Sequence, residues 1–146
     1  MEIKGLDKIF NPQSIAVIGA SNDKDSVGYG IFKNLKDYNG EIYPVNIKRK
    51  IIQGKKAYKK ISEIKEKIDL AIIATPAPNV PSLVEECCKK GVSTVVIITA
   101  GFKEIGQKGE LRIDQMLKSA RKYNMRIMGP NCMGFIRPSN KLNASF

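Results

Sequence analysis

Five short stretches of this sequence combine glycine, hydroxyl, amide and basic residues in ways that suit an anionic ligand. In "SIAVIGASNDKDSVGYG", residues 14–30, Gly19 ends an apolar run, and Ser21, Asn22, Ser26 and Val27 follow before Gly28 and Gly30. Glycine permits a tight turn and close backbone approach, and free amides at a helix start favour phosphate. The compact spacing G-x-G-x-x-G of a dinucleotide fingerprint is absent, because a longer polar loop separates Gly19 from Gly28. In "ATPAPNVP", Thr75 precedes Pro76 and Pro78, which can open a helix and wall a planar base. In "ITAGFKEIG", Thr99, Ala100 and Gly101 form a small-residue turn with exposed amides.

The stretch "PVNIKRK" carries Asn46, Lys48, Arg49 and Lys50 but no acidic residue of the kind that binds a ribose 2′-hydroxyl. Basic residues there favour a phosphate on the adenosine ribose, that of NADP or the 3′-phosphate of coenzyme A, with Lys48 the principal contact. Lys55, Lys56, Lys59 and Lys60 follow and read as a solvated face. In "GPNCMGF", Asn131 and Cys132 lie between Pro130 and Gly134. The chain has no histidine to activate that cysteine, so Cys132 reads as structural. Cys87 and Cys88 read as core thiols, and neither a zinc site nor a disulfide framework fits this cysteine spacing.

These stretches follow five apolar runs, expected as strands over residues 14–20, 41–47, 69–75, 94–100 and 126–129. Runs apolar on consecutive positions (AVIGA, LAIIA, VVIIT) suit strands covered on both faces. Between them, Ile31, Phe32, Leu35 and Tyr38 share a helical face, as do Val80, Leu83, Val84 and Cys87, and Ile113, Met116, Leu117 and Ala120. A short helix over 62–67, capped by Ser62, is expected in the remaining crossover, with a small strand or turn near 53–58. Alternating strands and helices imply an α/β, Rossmann-like, doubly wound and mostly parallel five-stranded sheet with helices on both faces. Ligands of such sheets bind beyond the carboxyl ends of the strands, where the five stretches lie.

At 146 residues the chain suits one domain with a real core. No apolar run approaches the ~20 residues of a membrane span, and the N-terminus has no signal-peptide core, so a cytoplasmic location and no membrane partner are expected. The net charge of +11 rests mostly on lysine. The 48–60 lysine cluster has one interleaved tyrosine, Tyr58, and no reading motif for nucleic acid.

The segments "SIAVIGAS…VGYGIFKNL", "GEIYPVNIK", "DLAIIATPAPNVPSLVEEC", "VVIITAGFKEIG" and "RIMGPNCMG" together resemble the CoA-binding domain of ADP-forming acyl-CoA (acetyl-CoA) synthetases. They are similar, more distantly, to the α subunit of succinyl-CoA synthetase. The resemblance implies that CoA is the ligand, with Gly19, Ser21, Asn22, Ser26 and Val27 around its phosphates and ribose. It implies Lys48 at the nucleotide end, Thr75 and Pro76 beside the adenine, and Thr99, Ala100 and Gly101 along the pyrophosphate and pantetheine. The turn with Asn131 would lie where the thiol arm approaches the catalytic centre.

The same resemblance implies a ligase that couples the acyl-CoA thioester to ATP through an acyl phosphate and a phosphohistidine. The histidine and the ATP-grasp module would be carried by downstream or separate domains or subunits. Residues 1–135 are thus expected to form the CoA-binding domain, and 136–146 the start of a linker; the chain alone should bind CoA without turnover. Two other readings stay open at this point: a free-standing sensor module for NAD(P) or CoA, and an NADP oxidoreductase.

Overall fold

The computed structural model describes residues 6–146. Its first element, helix α1 (Leu6–Phe10), leads into strand β1 (Ser14–Ile18), whose five residues are all buried. Helix α2 (Val27–Asn34) carries the chain to β2 (Glu41–Val45). A small antiparallel pair, β3 (Ile51–Ile52) and β4 (Lys55–Lys56), and a single 3-10 turn at Ile61–Glu63 fill the crossover to β5 (Leu70–Ile73). Helix α3 (Val80–Lys90), β6 (Thr94–Ile97), helix α4 (Gln107–Tyr123) and β7 (Arg126–Met128) complete the alternation. The main sheet is fully parallel, in the order β2-β1-β5-β6-β7.

Strand periodicity divides the core into two layers, since successive side chains face opposite ways. Ala16, Ile18, Ala71, Ile73, Val95 and Ile97 pack with Val80, Val84 and Cys87 of α3 and Met116 of α4. Ile15, Val17, Leu70, Ile72 and Val96 pack instead with Ile31, Phe32 and Leu35 from α2 and its C-terminal cap. Both faces are therefore covered, which is why the strands read as unbroken apolar runs. Burial raises the Cys87 thiol far above the ordinary range, and its side chain is inert packing.

Two local expectations differ from the structure. Residues 62–67 form no α-helix: Ser62 lies inside the 3-10 turn and donates its hydroxyl to Glu86 Oε1 at 3.2 Å rather than capping. The segment 136–146, expected as the start of a linker, folds back as part of an antiparallel pair, β8 (Gly134–Arg137) and β9 (Leu142–Ser145). Leu142 and Ala144 are fully buried in the α2 layer, and Asn34 Nδ2 donates to Ser145 O at 3.0 Å. Arg137 and Asn140 also hold the Phe10 carbonyl at the end of α1, at 2.9 and 2.8 Å. This burial comes from long-range partners, which local periodicity does not display.

The first residues of α2 lie against the turn after β1. Gly19 has φ +93°, and a Cβ on Gly28 would stand 1.8 Å from the Gly19 carbonyl oxygen. No side chain fits between helix and strand end there. Gly28→Ala should therefore destabilise the fold by about 1–3 kcal/mol, as other overpacked sites do. Gly30→Ala, whose Cβ would meet only Phe146 at 3.6 Å, should be neutral or gain roughly 0.5–1 kcal/mol of helix propensity. Urea unfolding of the two variants checks this, and equal stability would show that α2 can shift off the strand freely.

Candidate functional site

In the order β2-β1-β5 the chain leaves β1 to one side for β2 and returns on the other side as β5. The strand ends diverge at this switch and leave a crevice. A cavity of about 550 Å³ opens there, lined by the ends of all three strands. That volume is within the usual range for small-molecule sites. Backbone bonds hold the ends in register: Gly19 N donates to Val45 O at 3.0 Å, and Ala74 N to Ile18 O at 2.9 Å.

The glycine loop forms one wall. Ser26 is the N-cap of α2: its hydroxyl accepts from Tyr29 N at 3.2 Å and donates to Asp23 O at 2.7 Å. Ser21 Oγ accepts from Asp23 N at 3.0 Å, leaving its own proton for a ligand. Asn22 faces elsewhere, taking Gln53 N at 2.8 Å and donating to Ile51 O at 3.0 Å. Gln53, in the β3–β4 turn, donates to both Ser21 O and Tyr29 O at 3.1 Å. The small hairpin thus clamps the loop, a role the sequence reading did not assign to it.

Asn46 ties the second wall to the first. Its Nδ2 donates to Ala20 O at 2.9 Å, while Oδ1 accepts from the Lys48 and Arg49 amides, each at 2.8 Å. This turn sets Lys48 in the cavity lining, with the exposed Ile47 beside it. Lys59 and Lys60, read from sequence as solvated, line the same cavity. Tyr58 explains why: its amide donates to Pro44 O at 3.0 Å and Asn46 N donates to its carbonyl at 2.9 Å, folding the crossover back along β2.

The third wall is Thr75, Pro76 and one stripe of α3: Asn79, Ser82, Leu83 and Glu86. The Thr75 hydroxyl is buried and has no hydrogen-bond partner among the described residues. An orphaned hydroxyl beside three lysines and a glycine turn fits an anionic, hydroxyl-bearing ligand, because an unpartnered buried polar group otherwise costs stability.

Gly19, Ser21, Ser26, Lys48, Thr75 and Pro76 are brought together in this cavity, whereas Asn22, Val27, Thr99, Ala100, Gly101 and Asn131 lie outside its lining. The last four form a second polar row across the ends of β6 and β7. Thr99 Oγ1 donates to Thr75 O at 2.7 Å, and Asn131 N donates to Thr99 O at 2.9 Å. Gly101 N donates to Glu104 at 2.5 Å, and Arg112 donates to Gly101 O at 2.6 Å. Hydrogen bonding to the Gly101 amide holds the Glu104 carboxyl below its usual range. Cys132 Sγ donates to Ile97 O at 3.3 Å, in keeping with a structural thiol. Among the described residues no cluster of side chains could hold a metal ion, and no helix is long and apolar enough to cross a membrane.

Comparison with known proteins gives a consistent result. The chain is 51% identical over 142 residues to the α subunit of an ADP-forming acetate–CoA ligase II from Pyrococcus furiosus, covering 97% of this chain and 31% of that one. It is 49% identical over 142 residues to an ADP-forming acetate–CoA ligase from Methanocaldococcus jannaschii, covering 97% of this chain and 20% of that one. The dinucleotide-forming acetyl-coenzyme A synthetase 1 of Ca. Korarchaeum cryptofilum, solved with phosphate and ADP, superposes with a TM-score of 0.91 at 38% identity, covering 96% of this chain and 30% of that one. The chain thus spans a third or less of the length of each of these three relatives. The family described as the CoA binding domain matches residues 13–138, nearly the whole described fold, and the chain belongs to that family.

Proposed function

We propose that this chain is the CoA-binding part of an ADP-forming acyl-CoA ligase of the acetate–CoA type. The observation that carries the reading is the cavity itself, whose lining combines the glycine turn after β1, the lysines after β2 and Thr75 after β5, with its unpartnered hydroxyl. In this reading Gly19, Ser21, Ser26 and the start of α2 at Val27 hold the phosphate end of the nucleotide. Lys48, joined by Lys59 and Lys60, takes the 3′-phosphate of the ribose. Thr75 and Pro76 flank the adenosine. Thr99, Ala100, Gly101 and Asn131 guide the pyrophosphate and pantetheine arm across β6 and β7, and Asn22 acts indirectly by holding the loop.

The ligase reaction joins an acid and CoA at the expense of ATP, releasing ADP and phosphate, through an acyl phosphate and a phosphohistidine. This chain contains no histidine, so it cannot carry the phosphoryl group itself. Its part is to hold CoA while partner domains or subunits in the cytoplasm supply the histidine and the ATP-grasp site. The 146-residue chain should therefore form no acyl-CoA when given acid, ATP and CoA, and a measurable rate would sink the proposal.

Calorimetry should rank CoA above dephospho-CoA, NADP and NAD; tighter binding of NAD than of CoA would favour a redox sensor instead. Lys48→Ala should weaken CoA several-fold and leave dephospho-CoA nearly unchanged. A charge-assisted contact is worth roughly 1.5–3 kcal/mol when well formed, but Lys48 is exposed, which holds the expected loss to about 1 kcal/mol. Equal weakening of both ligands would remove the 3′-phosphate role from Lys48.

A further inference from the structure

The α3 wall of the cavity has a feature that phosphate binding does not use. Asn79, Ser82, Leu83 and Glu86 recur at the i, i+3, i+4, i+7 spacing of one helical face, and all four line the cavity. From Asn79 to Glu86 the stripe extends about 10 Å along the helix, the reach of a nucleoside rather than of a phosphate group alone. It meets Ile61, which is buried, and the exposed Lys59 and Lys60.

Glu86 is the one acidic residue among those lining this cavity. Its Oε1 accepts from Ser62 Oγ at 3.2 Å, and no hydrogen bond to its Oε2 is found among the described residues. The ion pairs among those residues are Lys8 with Asp69 and Lys89 with Glu85, so no cavity lysine neutralises Glu86. A half-buried carboxylate with one uncommitted oxygen is an acceptor that calls for a donor. Sharing the cavity lining with the apolar Leu83 and Ile61, it suits the edge of a planar, largely apolar group carrying an amine.

We infer that Glu86 is a specificity-determining residue that accepts a hydrogen bond from the exocyclic amine of the ligand's aminopurine base. The inference rests on the CoA reading above and deepens it. A base with a carbonyl at that place would present an oxygen to the carboxylate, and two acceptors repel. The nucleotide end of the ligand would then be recognised twice, by the phosphates at the glycine turn and lysines, and by the base at α3.

The test compares CoA with its deaminated analogue, in which hypoxanthine replaces adenine, by calorimetry on the 146-residue chain and on Glu86→Gln. The parent chain should bind CoA at least about tenfold more tightly, the scale of a hydrogen bond to a charged group. In Glu86→Gln the amide oxygen can keep the Ser62 bond and turn its NH2 to the base, so the preference should fall within about threefold or invert. Glu86→Ala, which offers neither donor nor acceptor, should also level the two ligands, and thermal unfolding confirms that each variant is folded. Equal binding of both ligands by the parent chain, or an unchanged preference in folded Glu86→Gln, overturns the inference. Discrimination between CoA and dephospho-CoA without base discrimination overturns it alone, whereas binding of neither CoA nor the analogue overturns the CoA reading with it.

Discussion

The start of α2 rests on the backbone of the turn after β1, so close that a single methyl on Gly28 would collide with the Gly19 carbonyl. Gly19 is equally confined on its other side, where a Cβ would stand 2.4 Å from the Ala74 carbonyl oxygen. Three segments, from β1, α2 and the end of β5, thus meet through bare main chain. This contact sets how far α2 can stand from the sheet, where Ser26 caps it, and how deep the crevice at the switch point becomes. The side chains that line the resulting crevice are chiefly Asn46, the three lysines, Thr75 and the stripe on α3. In the long loop between the two glycines, Ser21 and Ser26 hold the backbone of Asp23.

Much of the architecture was legible because burial on both sheet faces leaves unbroken apolar strands, and "AVIGA", "LAIIA" and "VVIIT" could be little else. The strand ends also singled out Gly19, Lys48 and Thr75, which line one cavity in the structure. What escaped depends on contacts between distant residues. Lys59 and Lys60 differ in no local way from Lys55 and Lys56; only the pairing of Tyr58 with Pro44 and Asn46 turns them into the cavity. Ser62 has the look of a cap, yet its hydroxyl is taken by Glu86 on a different element. The strands Gly134–Arg137 and Leu142–Ser145 carry proline, serine and asparagine between them and no alternation strong enough to announce a hairpin. The Glu86 stripe had a visible helical spacing, but the same spacing is found on any solvated helix face, and only the cavity distinguishes them.

The two polar rows at the top of the sheet are joined rather than merely adjacent. Thr99 donates to the carbonyl of Thr75, and Asn131 donates to the carbonyl of Thr99, so β5, β6 and the turn after β7 are laced in sequence. Thr75 therefore belongs to both rows: its carbonyl is committed to the second, and its hydroxyl is left to the first. Gly101 is gripped from two directions, its amide donating to Glu104 and its carbonyl accepting from Arg112, which fixes the small-residue turn.

The C-terminal hairpin has a structural consequence for α2. Leu142 and Ala144 are embedded beside α2, and Asn34 at the end of that helix grips the carbonyl of Ser145. One hydrogen bond therefore separates β9 from the helix that the glycine loop caps through Ser26. The hairpin thus ties the last strand to one end of α2, whose other end, eight helical residues away, is capped by Ser26.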